Sequence, residues 1–195
     1  FALVKRNLKY LQDFKLYRED GTETIYSPYS ILALGIKELE FRDDFPPHLK
    51  WVGYRCLSFD KLPKEQEQYF TTSKKRVLVT CGTHLKWEKE RMVKLAQILS
   101  QEYPDYHFYV TLGNPSGLQN PPHHLNNNLL LFDYLPYTDI LDKMDFVIHH
   151  AGSGILMGCI EQGIPSLILP QDFDQFDNAL RAELAQVGLV SRKKT

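Results

Sequence analysis

The stretch "FVIHHAGSGILMGCIEQGIPSLILPQDFDQFDNA", Phe146 to Ala179, decides the fold. It opens on a short apolar run without alternation, which reads as a strand buried on both faces. "SGILMGCIEQG" follows at helical spacing and is stopped by Gly163 and Pro165, and "SLILP" is a second strand. Residues 174–187 then predict another helix, with Phe176, Leu180 and Leu184 turned inward. Strand, turn, helix, strand, helix is the repeat of a parallel sheet covered on both faces.

The same grammar extends upstream. "RVLVTC" (76–81) is a buried-strand run, followed by Met92, Leu95, Ala96 and Leu99 at helical spacing. "YHFYVTL" (106–112), "LLLF" (129–132) and "DFVIHH" (145–150) are further strands, with a short helix "TDILDKM" before the last. The fold class is therefore α/β, a Rossmann-like parallel sheet with helices on both faces. Residues 57–75 are polar with little periodicity and read as a linker. Residues 1–55 combine a basic amphipathic stretch (Val4, Leu8, Leu11 on one face) with the strand-like "ILALG" and "LKWVGY".

The bulk numbers narrow the function. The chain has 195 residues, 43% apolar and 24% charged, ordinary for a globular protein. Lys and Arg number 23 against 24 Asp and Glu, so no basic field points to nucleic acid. Cys56, Cys81 and Cys159 lie far apart without CxxC spacing, the usage of reduced thiols in a cytoplasmic protein. No run approaches the ~18 apolar residues of a membrane span, and no signal peptide is recognisable. The chain starts at Phe1 and is expected to be a piece of a longer one.

Ligands of such sheets sit outside the carboxyl ends of the strands. That confines the search to "CGTH", "DYLPYTD", "HHAGSG" and "PQDFDQ". His150, Gly152, Ser153 and Gly154 follow a strand and open a helix, so backbone N–H groups and an imidazole can face an anion such as a phosphate. The glycines also suit a plain tight turn, and His149 reads as a packing residue. Thr83 with Gly82 can add donors to the same anion, while His84 reads as a surface residue. Tyr134, two residues before Pro136, can stack on a flat base or belong to the core. Asp174 and Gln175 can bond sugar hydroxyls, and Asp at a helix start is also an ordinary cap. His123 and His124 fall in a turn-rich loop with no third ligand at metal spacing, so no metal is expected. A nicotinamide site lacks its GxGxxG, and a serine nucleophile lacks its GxSxG elbow.

The order of "DYLPYTDIL", "HAGSG", "GIP", "DQ" and "DNA" resembles the C-terminal donor-binding domain of the UDP-glycosyltransferases, which have the two-domain GT-B fold. "VLVTCGT" is similar to the strand and turn that open that domain, and "ELEFRDDFPPHLKWVGY" to the stretch before the interdomain linker. The resemblance implies three parts: 1–56 as the end of an N-terminal acceptor domain, 57–75 as linker, and 76–195 as a truncated nucleotide-sugar-binding domain. It implies an inverting, metal-independent transfer of a hexose from a nucleotide sugar, UDP-hexose first among them, to a small-molecule or lipid acceptor. No cofactor is implied, and peripheral membrane contact stays open. By carry-over His150 binds the diphosphate, assisted by Thr83, Gly152, Ser153 and Gly154; Tyr134 takes the place of a tryptophan stacked on uracil; Asp174 and Gln175 hold the sugar. The general base is expected in the absent acceptor half, so the fragment alone is expected to be inactive. Two positions depart from the pattern: Gly158 stands where the family has a glutamate on the ribose hydroxyls, and Ile155 where Thr or Ser is common. Gly158 keeps two alternatives in play, a non-catalytic nucleotide-sugar-binding or partner subunit and an epimerase of the same fold.

Overall fold

Every strand expected between residues 76 and 168 is present in the computed structural model, which describes residues 18–19, 27–55, 60–83 and 86–191. The amphipathic stretch with Val4, Leu8 and Leu11, and also Cys56 and His84, lie outside the described residues. The chain divides into two units, Phe1–Gly53 and Tyr54–Thr195. In the first, strand β1 (Ile31–Ala33) pairs in parallel with β2 (Leu49–Trp51), and Phe45 meets Trp51 edge to face.

The second unit is built on seven strands: β3 (Lys75–Thr80), β4 (Tyr106–Thr111), β5 (His123–Asn126), β6 (Leu129–Phe132), β7 (Phe146–His149), β8 (Ser166–Ile168) and β9 (Leu189–Val190). Their order across the sheet is β5-β6-β4-β3-β7-β8-β9, and all pairs are parallel except β5 with β6. The central strands are apolar at consecutive positions because both faces are covered. Val77 and Val79 of β3 pack with Met92 and Ala96 of helix α1 (Lys89–Glu102), whereas Leu78 packs with Leu135, Ile140 and Ile155 on the opposite face. That opposite face carries helix α2 (Tyr137–Ile140) and helix α3 (Ser153–Gln162). Helix α4 (Gln175–Leu184) completes the layer by packing on Ile168 and Leu156.

Helix α3 is apolar along most of its length, with Ile155 to Cys159 buried. It ends where Gly163 adopts a left-handed φ of 65°, and the Gly163 and Ile164 amides turn back to the carbonyls of Ile160 and Cys159 (3.1 and 2.9 Å). The polar stretch expected as linker contains a 3-10 helix, Lys64–Phe70, whose Phe70 ring stacks on Tyr109 at 4.8 Å. Two expectations are corrected. His123 and His124 are not in a loop but form the antiparallel edge strand β5, where a β-bulge sits between His124 and Asn126. Phe176, Leu180 and Leu184 are not inward: Phe176 and Leu184 are 56% and 62% exposed, and helix α4 packs through Ala179 and Ala182 instead. Among the described residues, no helix is long and apolar enough to cross a membrane.

Candidate functional site

The loops leaving the carboxyl ends of β3, β4, β6, β7 and β8 enclose one cavity of about 630 Å³. Its wall includes Thr83 after β3, Tyr134 after β6, His150, Gly152, Ser153 and Gly154 after β7, and Asp174 and Gln175 after β8. All eight positions singled out from the sequence therefore meet in one place. Cys81, Gly82, Thr111, Gly113, Leu135, Tyr137, Ile155 and Phe173 complete it.

His150 is nearly enclosed, and two glycines make its room. A Cβ at Gly82 would stand 2.8 Å from the His150 Nε2 and Cε1, and one at Gly152 would collide with Nε2. Gly82 also has a left-handed φ of 72°, so it is required twice over. The third glycine of this corner, Gly113, brings the β4 loop against the Gly82 carbonyl, where a Cβ would clash. These glycines serve an imidazole and a close loop approach, rather than only a tight turn.

Between His150 and Gly152, Ala151 holds a left-handed φ of 67°, costly for a residue with a Cβ. Two bonds over-determine it: its N–H donates to His149 Nδ1 (3.1 Å), and its carbonyl accepts from Asn178 Nδ2 (3.0 Å). His149 is fully buried, and burial, with a smaller push from His150, lowers its pKa to about 3. It is thus a neutral structural histidine. Gly152 precedes helix α3 in extended backbone without a side-chain cap. The residues of the first turn, Ser153, Gly154 and Ile155, line the cavity, so the positive end of the helix opens into it.

Asp174 stands at the start of helix α4 but makes no side-chain cap, and its carboxylate accepts from Asn178 Nδ2 at 3.0 Å. Gln175 is buried, with Oε1 accepting from the Gln171 and Asp172 amides (2.9 and 3.2 Å); its NH₂ is the end left to donate to a ligand. Phe173 between these loops has a φ of 56° and is largely exposed at the rim. On the floor, Thr80 Oγ1 and Tyr137 Oη are 2.8 Å apart, and burial pushes the Tyr137 phenol up. Tyr134 extends from the β6 loop, and its hydroxyl donates to Asp60 Oδ2 at 3.0 Å. Gly158 does not line the cavity; a Cβ there would meet Leu141 Cδ1 at 2.7 Å inside the core.

The C-terminal part of the chain, residues 110–195, matches the family described as erythromycin biosynthesis protein CIII-like, C-terminal domain. Human UDP-glucuronosyltransferase 2A2 is 29% identical over 146 residues, which cover 72% of this chain and 26% of that protein. The solved glycosyltransferase of kitacinnamycin superposes with a TM-score of 0.71 at 21% identity, over 97% of this chain and 49% of that one. Spinosyn rhamnosyltransferase SpnG complexed with thymidine diphosphate superposes with a TM-score of 0.67 at 25% identity, over 85% and 44%. The chain is similar in sequence to UDP-glucuronosyltransferases. Its fold is that of the GT-B glycosyltransferases, and it spans about a quarter to a third of the curated relatives' length.

Within this glycosyltransferase fold the residues that sequence reasoning missed are Asn178, Thr111, Gly113 and Asp60. Asn178 carried a signal, since it lies in the "DNA" of the motif, four residues after Asp174, one helical turn on. Asp60 carried none, because 74 residues separate it from Tyr134.

Proposed function

We propose that this chain is the donor-binding part of an inverting glycosyltransferase that moves a hexose from a nucleoside-diphosphate sugar, UDP-hexose in the first place, to a small-molecule or lipid acceptor. The observation that carries this reading is the uncapped N-terminus of helix α3 opening beside His150 into a cavity walled by the loops after five strands. A diphosphate against that helix end takes hydrogen bonds from the first-turn amides and from the imidazole. Tyr134 offers a flat face to the base, and Asp174 with the Gln175 NH₂ offers an acceptor and donors to sugar hydroxyls.

In the reaction the acceptor oxygen forms a bond to the anomeric carbon while the bond to the diphosphate breaks. The electron pair of the broken bond stays on the leaving phosphate, and the acceptor's proton passes to a base in the acceptor-binding half. Donors fixed before the reaction stabilise that growing charge without reorganising, so no metal is called on in this reading.

Titration calorimetry with UDP tests the site. His150→Ala should weaken binding by about 10- to 100-fold, the range of a charge-assisted hydrogen bond, with little change in melting temperature. Equal loss of affinity and stability would reduce His150 to a packing residue. A second reading, a nucleotide-sugar-binding subunit without turnover, draws on Gly158: the carboxylate that the resemblance expects on the ribose is absent, and Leu141 occupies the space beside it. A protein containing the acceptor half that binds UDP but releases no sugar from UDP-hexose would favour it.

A further inference from the structure

The segment just before the 3-10 helix Lys64–Phe70 is fastened at two points to the loop and helix that carry Tyr134. Asp60 accepts the Tyr134 hydroxyl at 3.0 Å. Lys61 Nζ and the Leu62 amide both donate to Asp139 of helix α2, at 2.9 and 3.0 Å. Burial pushes the Asp139 carboxyl up, but the bonds from Lys61 and Leu62 outweigh it and hold the group below the usual carboxylate range. Leu62 is buried in the same cluster as Leu135 and Ile140, so this stretch is packed as well as hydrogen-bonded. Tyr134, Leu135, Asp139 and Ile140 belong to one loop and its helix, and the segment 60–62 backs it along its length.

A tyrosine side chain has two torsions: holding Oη, which lies on the ring's long axis, fixes that axis, and because a phenolic O–H prefers the ring plane, the direction of its acceptor biases the rotation of the ring about it. We infer that Asp60 is a positioning residue for the nucleobase: by holding the Tyr134 hydroxyl it sets the ring as a stacking platform at one end of the cavity. This rests on the nucleotide reading of the cavity, and adds to it a contribution from a segment remote in sequence from the strand-end loops. The linkage is reciprocal. A base stacked on Tyr134 favours the arrangement in which residues 60–62 are docked, and undocking this segment weakens the base site without touching the diphosphate site.

The test compares two probes on the whole chain, UDP and inorganic pyrophosphate, by titration calorimetry, with melting temperature as a check on folding. Asp60→Ala should weaken UDP by about 5-fold, the effect of one net hydrogen bond, and leave pyrophosphate unchanged. Tyr134→Phe should lose the same factor, and the double variant no more than either single one. Asp60→Asn, which keeps an acceptor oxygen, should restore UDP affinity. Tyr134→Ala should lose more, by removing the platform itself. If Tyr134→Ala weakens UDP while Asp60→Ala does not, or if Asp60→Ala weakens both probes alike, the positioning role is refuted and the nucleotide reading stands. If UDP fails to bind, or Tyr134→Ala leaves its affinity unchanged, the base site and this role are refuted together.

Discussion

His149 and His150 are chain neighbours with opposite duties, and their surroundings decide which does what. His150 faces the cavity in room left by Gly82 and Gly152, whereas His149 is enclosed and accepts the Ala151 amide on Nδ1. The burial of His149 has a consequence for stability. Above pH 6.5 it is neutral both folded and unfolded and adds no pH dependence. Below that, the unfolded chain takes up a proton that the folded one refuses until about pH 3. Stability contributed at this site therefore falls as pH drops from 6.5 towards 3, by at most ~1.4 kcal/mol per pH unit. Urea unfolding at pH 7 and pH 5 should show a smaller loss in His149→Gln, whose carboxamide oxygen can accept the same amide but does not titrate. An equal loss in both proteins would move the effect elsewhere. The sequence could suggest that one histidine faces the strand-end crevice and the other packs; it could not say that the second one braces Ala151 in a left-handed turn.

Helix α4 shows how an apolar period can be real and yet face the wrong way. Phe176, Leu180 and Leu184 recur every four residues, but so do the smaller Gln175 and Ala179, and Ala182 lies three positions on. The helix approaches β8 and helix α3 through its alanines, because small side chains allow close backbone contact and Ile168 and Leu156 fill the space. Ala182→Leu should overpack this contact and cost about 1–3 kcal/mol in chemical denaturation. Leu184→Ser should stay within about 0.5 kcal/mol, as expected for an exposed position. The reverse ranking would mean that the large residues face the core after all. Strand β5 is the other instance of an unread element. "HHLN" between "NPP" and "NN" has the composition of a loop, and only its pairing with the apolar β6 makes it a strand.

At the scale of the molecule, the parallel sheet was readable because its central strands are short, largely apolar runs bounded by turns and alternating with helical patterns, as a doubly covered sheet requires. The convergence of Thr83, Tyr134, His150, Gly152, Ser153, Gly154, Asp174 and Gln175 followed from that topology alone, since each sits just past a strand's carboxyl end. Contacts across long separations were not readable: Asp60 with Tyr134, or Gln66 with the carbonyls of Leu118 and Asn120, have no period to betray them. No base for the acceptor's proton is assigned within the cavity, so the chain by itself, given UDP-hexose and a phenolic acceptor, should release no more UDP than a blank. Measurable release by the purified chain, abolished by His150→Ala, would place a base within these residues.

The Asn178 carboxamide on the Ala151 carbonyl also bears on how the protein is made. The turn that carries His150 is complete only once a helix 27 residues further on has formed, and Tyr134 of the cavity wall is held by a side chain as far back as Asp60. During vectorial synthesis a half-emerged chain thus has an unfinished cavity. A small molecule that fits the cavity meets it only after these residues have left the ribosome, and it rewards the completed form rather than templating the early stages.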